Sequence, residues 1–210
     1  MGRKSDASSK ILQAAGMLFW EKGYNGVSVD EICGKAGVNK GTFYHFFASK
    51  MALAEAILEE WWNQFRTELL EPAFAPDLTP PLRIERMIRL CHQKQKLAQA
   101  TYGIAYGCPF CTLGAELSHI DESVKKSIQN IFSRISSYFE VTLREAQAMH
   151  GIALPDTPSA TARMLMALLN GATLQAKISN SPDKLLDIIP LLPRILGFMP
   201  KVEMSHLKAS

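Results

Sequence analysis

Two thiols stand three positions apart in the stretch Gly107-Cys108-Pro109-Phe110-Cys111. A helix is expected to open there, at about 110–118, so Cys108 sits at or just before its N-terminus. The helix dipole stabilises a thiolate at such a place. Three chemistries fit the pair. Cys108 is structural, with Cys111 half-buried; or it senses oxidants or electrophiles; or the pair binds a metal. A tetrahedral metal site wants four ligands. His92 and His119 are available, but no second Cys-x-x-Cys or paired-His motif accompanies them. No metal and no cofactor is expected. A thiol oxidoreductase using Cys108 and Cys111 would need a strand-helix-strand context, which this motif lacks, so no enzyme is expected either. The other cysteines are Cys33 and Cys91. In a reducing cytosol a structural disulfide is not expected.

A second constellation lies in residues 28–47, Ser-Val-Asp-Glu-Ile-Cys-Gly-Lys-Ala-Gly-Val-Asn-Lys-Gly-Thr-Phe-Tyr-His-Phe-Phe. Two short helices joined through Ala36-Gly37-Val38 read as a helix-turn-helix. Cys33 is small where the helices cross, Gly37 suits the sharp turn, and Val38 plugs the core just after it. The second helix can then lie in a DNA major groove about 12 Å wide. On residue type alone Tyr44 and His45 also read as packed aromatic side chains, and Phe43 and Phe47 as core.

The elements that must position these groups are helical almost throughout, because apolar residues recur at three and four rather than two. Ser8 or Ser9 is expected to cap a first helix, whose inner stripe is Ile11, Ala14, Ala15, Leu18 and Phe19 and which stops at Gly23. Ser28, with Glu31 three residues on, reads as a capping box. Asn39 caps the third helix and Ser49 the fourth, which runs to about Glu71. Pro72, Pro76, Pro80 and Pro81 break the chain. Further helices are expected at about 81–100, 110–118, 122–150, 157–180 and 183–198. Pro190 and Pro193 predict a kink or two short pieces in the last.

Composition agrees with a folded, non-membrane chain. Of 210 residues, 47% are hydrophobic and 20% charged, enough for a sizeable core. No apolar run approaches the roughly 18 residues a bilayer span needs, and no signal-peptide core follows the polar start. A cytoplasmic protein is expected. The net charge of +3 resides in residues 1–50, which carry seven Lys/Arg against four Asp/Glu. A basic end on a neutral body suits a polyanion-binding module.

The stretches Phe19-Trp20-Glu21-Lys22-Gly23-Tyr24, Ser28-Val29-Asp30-Glu31-Ile32, Ala36 through Phe47 and Ser49-Lys50 resemble the TetR family of transcriptional repressors. The resemblance is close over about 45 residues, with Cys33 where the family usually has Ala. It implies an all-α, Ω-shaped homodimer: a three-helix DNA-binding domain at 1–50 and a ligand-sensing and dimerisation domain at 51–210. It implies a repressor that leaves a palindromic operator in double-stranded DNA when a small-molecule inducer or electrophile acts. Lys40, Gly41, Thr42 and Tyr44 resemble the base-facing surface, and Ser28, His45 and Lys50 the phosphate contacts. Arg3 and Lys4 would form an arm. The homodimer would form through the last two long helices, about 157–180 and 183–198. Met87, Cys91, Tyr102, Tyr106, Phe110, Leu113, Phe132 and Met166 are candidates for a pocket lining and read equally as core. Gly107-Cys108 with 113–116, and Gly171 through Ser179, also resemble the electrophile- and oxidant-responsive branch. That branch would pair Cys108 with Lys177, whose ammonium would lower the thiol pKa.

Overall fold

The computed structural model describes residues 2–197, without the side chains of residues 2–5 and of residue 150. Among them every regular element is helical: α1 (Gly2–Lys22), α2 (Val29–Ala36), α3 (Lys40–Phe46), α4 (Lys50–Phe65), α5 (Glu71–Ala73), α6 (Pro80–Tyr102), α7 (Pro109–Leu117), α8 (Glu122–His150), α9 (Pro158–Ile178) and α10 (Leu192–Ile195). A π-helical turn, Arg66–Leu70, joins α4 to α5, and a 3-10 stretch, Pro182–Leu191, precedes α10.

The helix starts are written in side-chain chemistry. Ser28 Oγ accepts from the Glu31 amide at 3.1 Å, Asn39 Oδ1 from Thr42 at 2.8 Å and Ser49 Oγ from Ala52 at 3.0 Å. Each such cap contributes about 1 kcal/mol. The Glu31 carboxylate is drawn both to Lys22, at 2.5 Å, and back to the Ser28 amide, and the two together hold its pKa down, Lys22 the more strongly. Gly37 ends α2 at φ 66, and a Cβ there would meet nothing within 4 Å. The glycine is needed for its left-handed backbone, not for space. The first helix begins at Gly2, ahead of the expected Ser8 or Ser9 cap. The side chains of Arg3 and Lys4 lie outside the described residues.

One core runs the length of the molecule. Ile11, Leu18, Phe19 and Phe43 fill it at the N-terminal end, and Met87, Phe110, Phe139 and Leu165 continue it through the body. Helix α4 belongs to both ends. Its Leu53, Ala54, Ile57 and Trp62 are all buried, and the Arg134 guanidinium of α8 lies 3.9 Å over the Trp62 ring.

The segment expected at 183–198 forms two short pieces, as its prolines predict, and not a second long helix. Pro190 lies inside the 3-10 stretch and Pro193 inside the four-residue α10. Each proline lacks the amide that an α-helical ladder requires. The two long helices of the C-terminal half are therefore α8 and α9, which pack against each other.

An ion pair ties α6 to α8. Arg83 gives two parallel bonds to Glu145, at 2.6 and 3.0 Å, and its Nε donates to the Leu78 carbonyl at 2.7 Å. The arginine side chain is buried. Replacing Glu145 with Ala strands that guanidinium and is expected to lower stability by about 2–3 kcal/mol in urea unfolding. A loss under about 0.5 kcal/mol would show that water replaces the carboxylate freely.

Candidate DNA interface and sensor site

Helix α3 presents a polar edge outward. Lys40, Gly41, Tyr44 and His45 are exposed and Thr42 is half-buried, while Phe43 is sealed in the core. Tyr44 is 54% exposed, its ring edge-on to Phe43 at 5.1 Å. Thr42 Oγ1 donates to Asn39 Oδ1 at 3.1 Å. Lys40 pairs with Asp30 at 2.9 Å, which pulls its pKa up. Both partners are exposed, so such a pair costs little to open. Ser28 is exposed at the head of α2 and keeps a hydroxyl proton to donate.

Lys50 is placed differently from the other DNA-contact candidates. Its ammonium donates to the carbonyls of Tyr24 and Val27, at 2.9 and 2.7 Å, and lies 3.9 Å over the Tyr24 ring. Burial pushes its pKa down. It pins the α1–α2 loop to the start of α4, and one N–H at most is left for an outside acceptor.

Behind α1 a narrow cavity of about 80 Å³ is lined by Trp20, Phe65, Cys91, Cys108, Phe132 and Met166 among others. Four sequence candidates thus meet there: Cys91, Cys108, Phe132 and Met166. The others do not line it. Met87, Phe110 and Leu113 are fully buried core. Tyr106 is buried against the Trp20 ring at 5.3 Å. Tyr102 is 52% exposed. Cys111 is half-buried outside the lining.

The thiol electrostatics depart from the expected pattern. Cys108 is pushed well above the ordinary thiol value, first by the neighbouring Cys111 thiol and then by burial; the amides of Phe110 and Cys111 pull the other way but lose. Cys111 is moved down, because the Cys108 S–H donates toward it. Of the two, Cys111 therefore ionises the more readily. Lys177 does reach this region: its side chain lies over Gly107, where an added Cβ would come within 3.1 Å of its Cδ. Its own pKa is lowered by burial, with Glu116 pulling it up. Among the described residues no three His, Cys, Asp or Glu side chains converge on a metal site.

Three residues that spacing and periodicity did not single out join the two regions. The Gly107 carbonyl accepts from Trp20 Nε1 of α1 at 3.0 Å and from Gln95 Nε2 of α6 at 3.1 Å. Gln95 Oε1 takes the Gly107 amide at 2.9 Å. Glu116 of α7 accepts from the amides of Tyr24 and Asn25, at 3.1 and 2.8 Å. Gly23, at φ 77, is where that carboxylate comes closest, and a Cβ would fall onto it. The segment bearing Cys108 is thus bonded directly to the helix that carries the helix-turn-helix. Trp20 and Gly23 lay in one stretch the sequence marked and Glu116 in another, at 113–116; Gln95 lay in none. The partners of Gln95 and Glu116 stand at separations that no local pattern encodes.

Residues 11–57 match the family described as bacterial regulatory proteins, tetR family, and residues 84–189 match the tetracyclin repressor-like C-terminal domain. The chain belongs to the TetR family. It is 30% identical to the transcriptional regulator AcuR of Cereibacter sphaeroides over 85% of this chain and 80% of that one. It is 28% identical to the transcriptional repressor NemR of Escherichia coli K12, over 91% and 94%. The crystal structure of reduced E. coli NemR superposes with a TM-score of 0.78 at 25% identity, covering 92% of this chain and all of that one. A regulatory protein TetR from Rhodobacter sphaeroides gives 0.79 at 28%, covering 90% and 97%. TetR-family proteins are dimeric DNA-binding transcription regulators that respond to small molecules, not enzymes. No helix among the described residues is long and apolar enough to cross a membrane.

Replacing Trp20 with Phe keeps an aromatic ring but removes the indole N–H donor to Gly107 together with half of the bicyclic ring. It is expected to cost about 1–3 kcal/mol in urea unfolding. The same change in a Gln95→Leu background should cost a different amount, because the two donors share one carbonyl. Additive costs would mean that the carbonyl is not a shared joint.

Proposed function

We propose that the protein is a cytoplasmic homodimeric repressor that leaves palindromic operator DNA when a small electrophile or oxidant modifies the thiols at the head of α7. The observation that carries this reading is the Gly107 carbonyl. It adjoins Cys108 at the cavity wall and holds Trp20 of the DNA-binding end. A covalent change at Cys108 displaces the peptide that anchors α1. The cavity's size supports a small reactive trigger, since about 80 Å³ falls well short of the roughly 300–1,000 Å³ of a drug-sized site.

In this reading residues 1–50 are the DNA-binding domain and 51–210 sense and dimerise. Lys40, Gly41, Thr42 and Tyr44 face base edges, and Ser28 and His45 meet phosphate oxygens. Lys50 stiffens the domain and offers at most its remaining donor to a phosphate. The dimer forms through α8 and α9. Support comes from one face of α9, where Met164, Leu174 and Ile178 are exposed and, with Ala167 and Gly171, recur at three-to-four spacing. Ala167 and Gly171 lie between them, exposed, and a Cβ on Gly171 would meet nothing within 4 Å. Val141 of α8 is exposed as well. A large apolar stripe broken by small residues suits close approach of a second copy.

Binding to a labelled fragment of the gene's own upstream DNA tests the first half. Affinity should fall steeply with salt, and Tyr44→Ala should lose about 1–3 kcal/mol of specific binding. Salt-independent or sequence-blind binding would reject the reading. For the second half, N-ethylmaleimide should release wild-type protein while the double variant Cys108→Ser, Cys111→Ser stays bound; equal release from both would contradict it. Leu174→Asp should give monomers in sedimentation, whereas an intact dimer would move the interface elsewhere.

A further inference from the structure

Cys108 occupies the N-cap of α7 and Cys111 its third helical position. In an α-helix, Cα atoms three residues apart stand about 5 Å from each other. A disulfide spans about 4.4–6.8 Å between Cα atoms. Cys108 has an extended backbone, φ −83 and ψ 120, the conformation in which an N-cap side chain folds back over the first helical turn. Both thiols are free and half-buried. Cys108 also faces the cavity, while Cys111 lies outside it and, being only half-buried, keeps part of its surface open to a small reagent.

We propose that the switch is a reversible Cys108–Cys111 disulfide, closed by a hydroperoxide and opened by thiols. This rests on the reading above, that thiol modification at the head of α7 releases DNA. Cys111 reacts first, since the Cys108 S–H donated toward it favours its thiolate. The thiolate sulfur attacks the peroxide O–O bond. A S–O bond forms, the O–O bond breaks, and the leaving oxygen takes up protons and departs as water or alcohol, which leaves Cys111 as a sulfenic acid. The Cys108 sulfur then attacks that sulfur. The S–S bond forms, the S–O bond breaks, and the Cys108 proton leaves with the hydroxyl as water. Two electrons pass from the thiols to the peroxide.

The mechanical consequence follows from the neighbour. Gly107 holds a left-handed φ of 79 beneath the Lys177 side chain. Its carbonyl carbon is bonded to the Cys108 nitrogen. Drawing the Cys108 sulfur onto Cys111 twists that peptide, and the carbonyl turns away from Trp20. Cys91 lines the same cavity but takes no part, because burial pushes its thiol up to about 12.

The test treats wild-type protein and Cys111→Ser with hydrogen peroxide. It reads operator affinity by anisotropy, and the thiols by alkylation in denaturant with peptide mapping. In the wild type, Cys108 and Cys111 should lose alkylation together and the chain should become lighter by two hydrogens. Cys91 should stay reduced. Operator affinity should fall roughly tenfold or more, and dithiothreitol should restore it. Cys111→Ser should keep its operator under the same dose. Release with Cys111 still alkylatable, or equal release from Cys111→Ser, would overturn the disulfide while leaving thiol-triggered release intact. If neither peroxide nor N-ethylmaleimide moves the wild type off DNA, both readings fall.

Discussion

A buried carbonyl oxygen has two lone pairs, and leaving them unmet costs free energy. At Gly107 one is met by the Trp20 indole of α1 and the other by the Gln95 amide of α6. No water is needed and no third donor fits the count. The position of the DNA-binding end is therefore tied to the conformation of one peptide in the sensor half. Glu116 makes a second tie a helix away, by taking the two amides that end the turn after α1. The two attachments flank α7, so a rotation or shift of α7 cannot leave α1 where it was. Coupling of this kind needs a two-state element that both sites bias, and α7 with its cysteine-bearing N-terminus has the right connections. Helix α4, which runs from the helix-turn-helix into the common core, offers a parallel route.

The electrostatics sharpen the chemistry of that element. A dipole at a helix N-terminus favours a thiolate, and that argument alone selects Cys108. The Cys111 thiol beside it, and then burial, reverse it. Cys108 keeps its proton and lends it to Cys111, which becomes the more acidic member. A protonated donor beside a more acidic thiol is an arrangement in which one sulfur can be oxidised and the other can resolve it. Lys177 contributes through its methylenes over Gly107 more than through its charge. It walls the peptide that has to move.

Much of the DNA-binding end was legible from sequence because its signals are local. Ser28, Asn39 and Ser49 cap the helices they were expected to cap, and Gly37 takes the left-handed turn. These depend on a few neighbouring residues, as does the inner stripe of α1. What local signals missed was longer in range: Glu31 also pairs with Lys22, nine residues back. The last segment breaks into two short pieces, as Pro190 and Pro193 predict, and so does not serve as a second long helix. In the sensor half, Met87, Phe110 and Tyr106 carry the same residue types as a pocket wall but face the core. Type and spacing cannot separate those faces where helices pack on several sides. Gln95 was invisible for a related reason, and Glu116, although inside the marked stretch 113–116, gave no sign of its role: a polar residue on a helix carries no mark of the distant amide or carbonyl it will meet.

Hydrogen exchange at the amides of Tyr24 and Asn25 tests the central claim most directly, since those two N–H groups bond to α7 and not to their own helix. When the thiols of the dimer are modified, both amides should lose protection in step with the Gly107 amide, while Ile11 and Leu18 in the core of α1 stay protected. If exchange rises around Gly107 and the Tyr24 and Asn25 amides do not change, the sensor segment moves without the DNA-binding end, and the account fails.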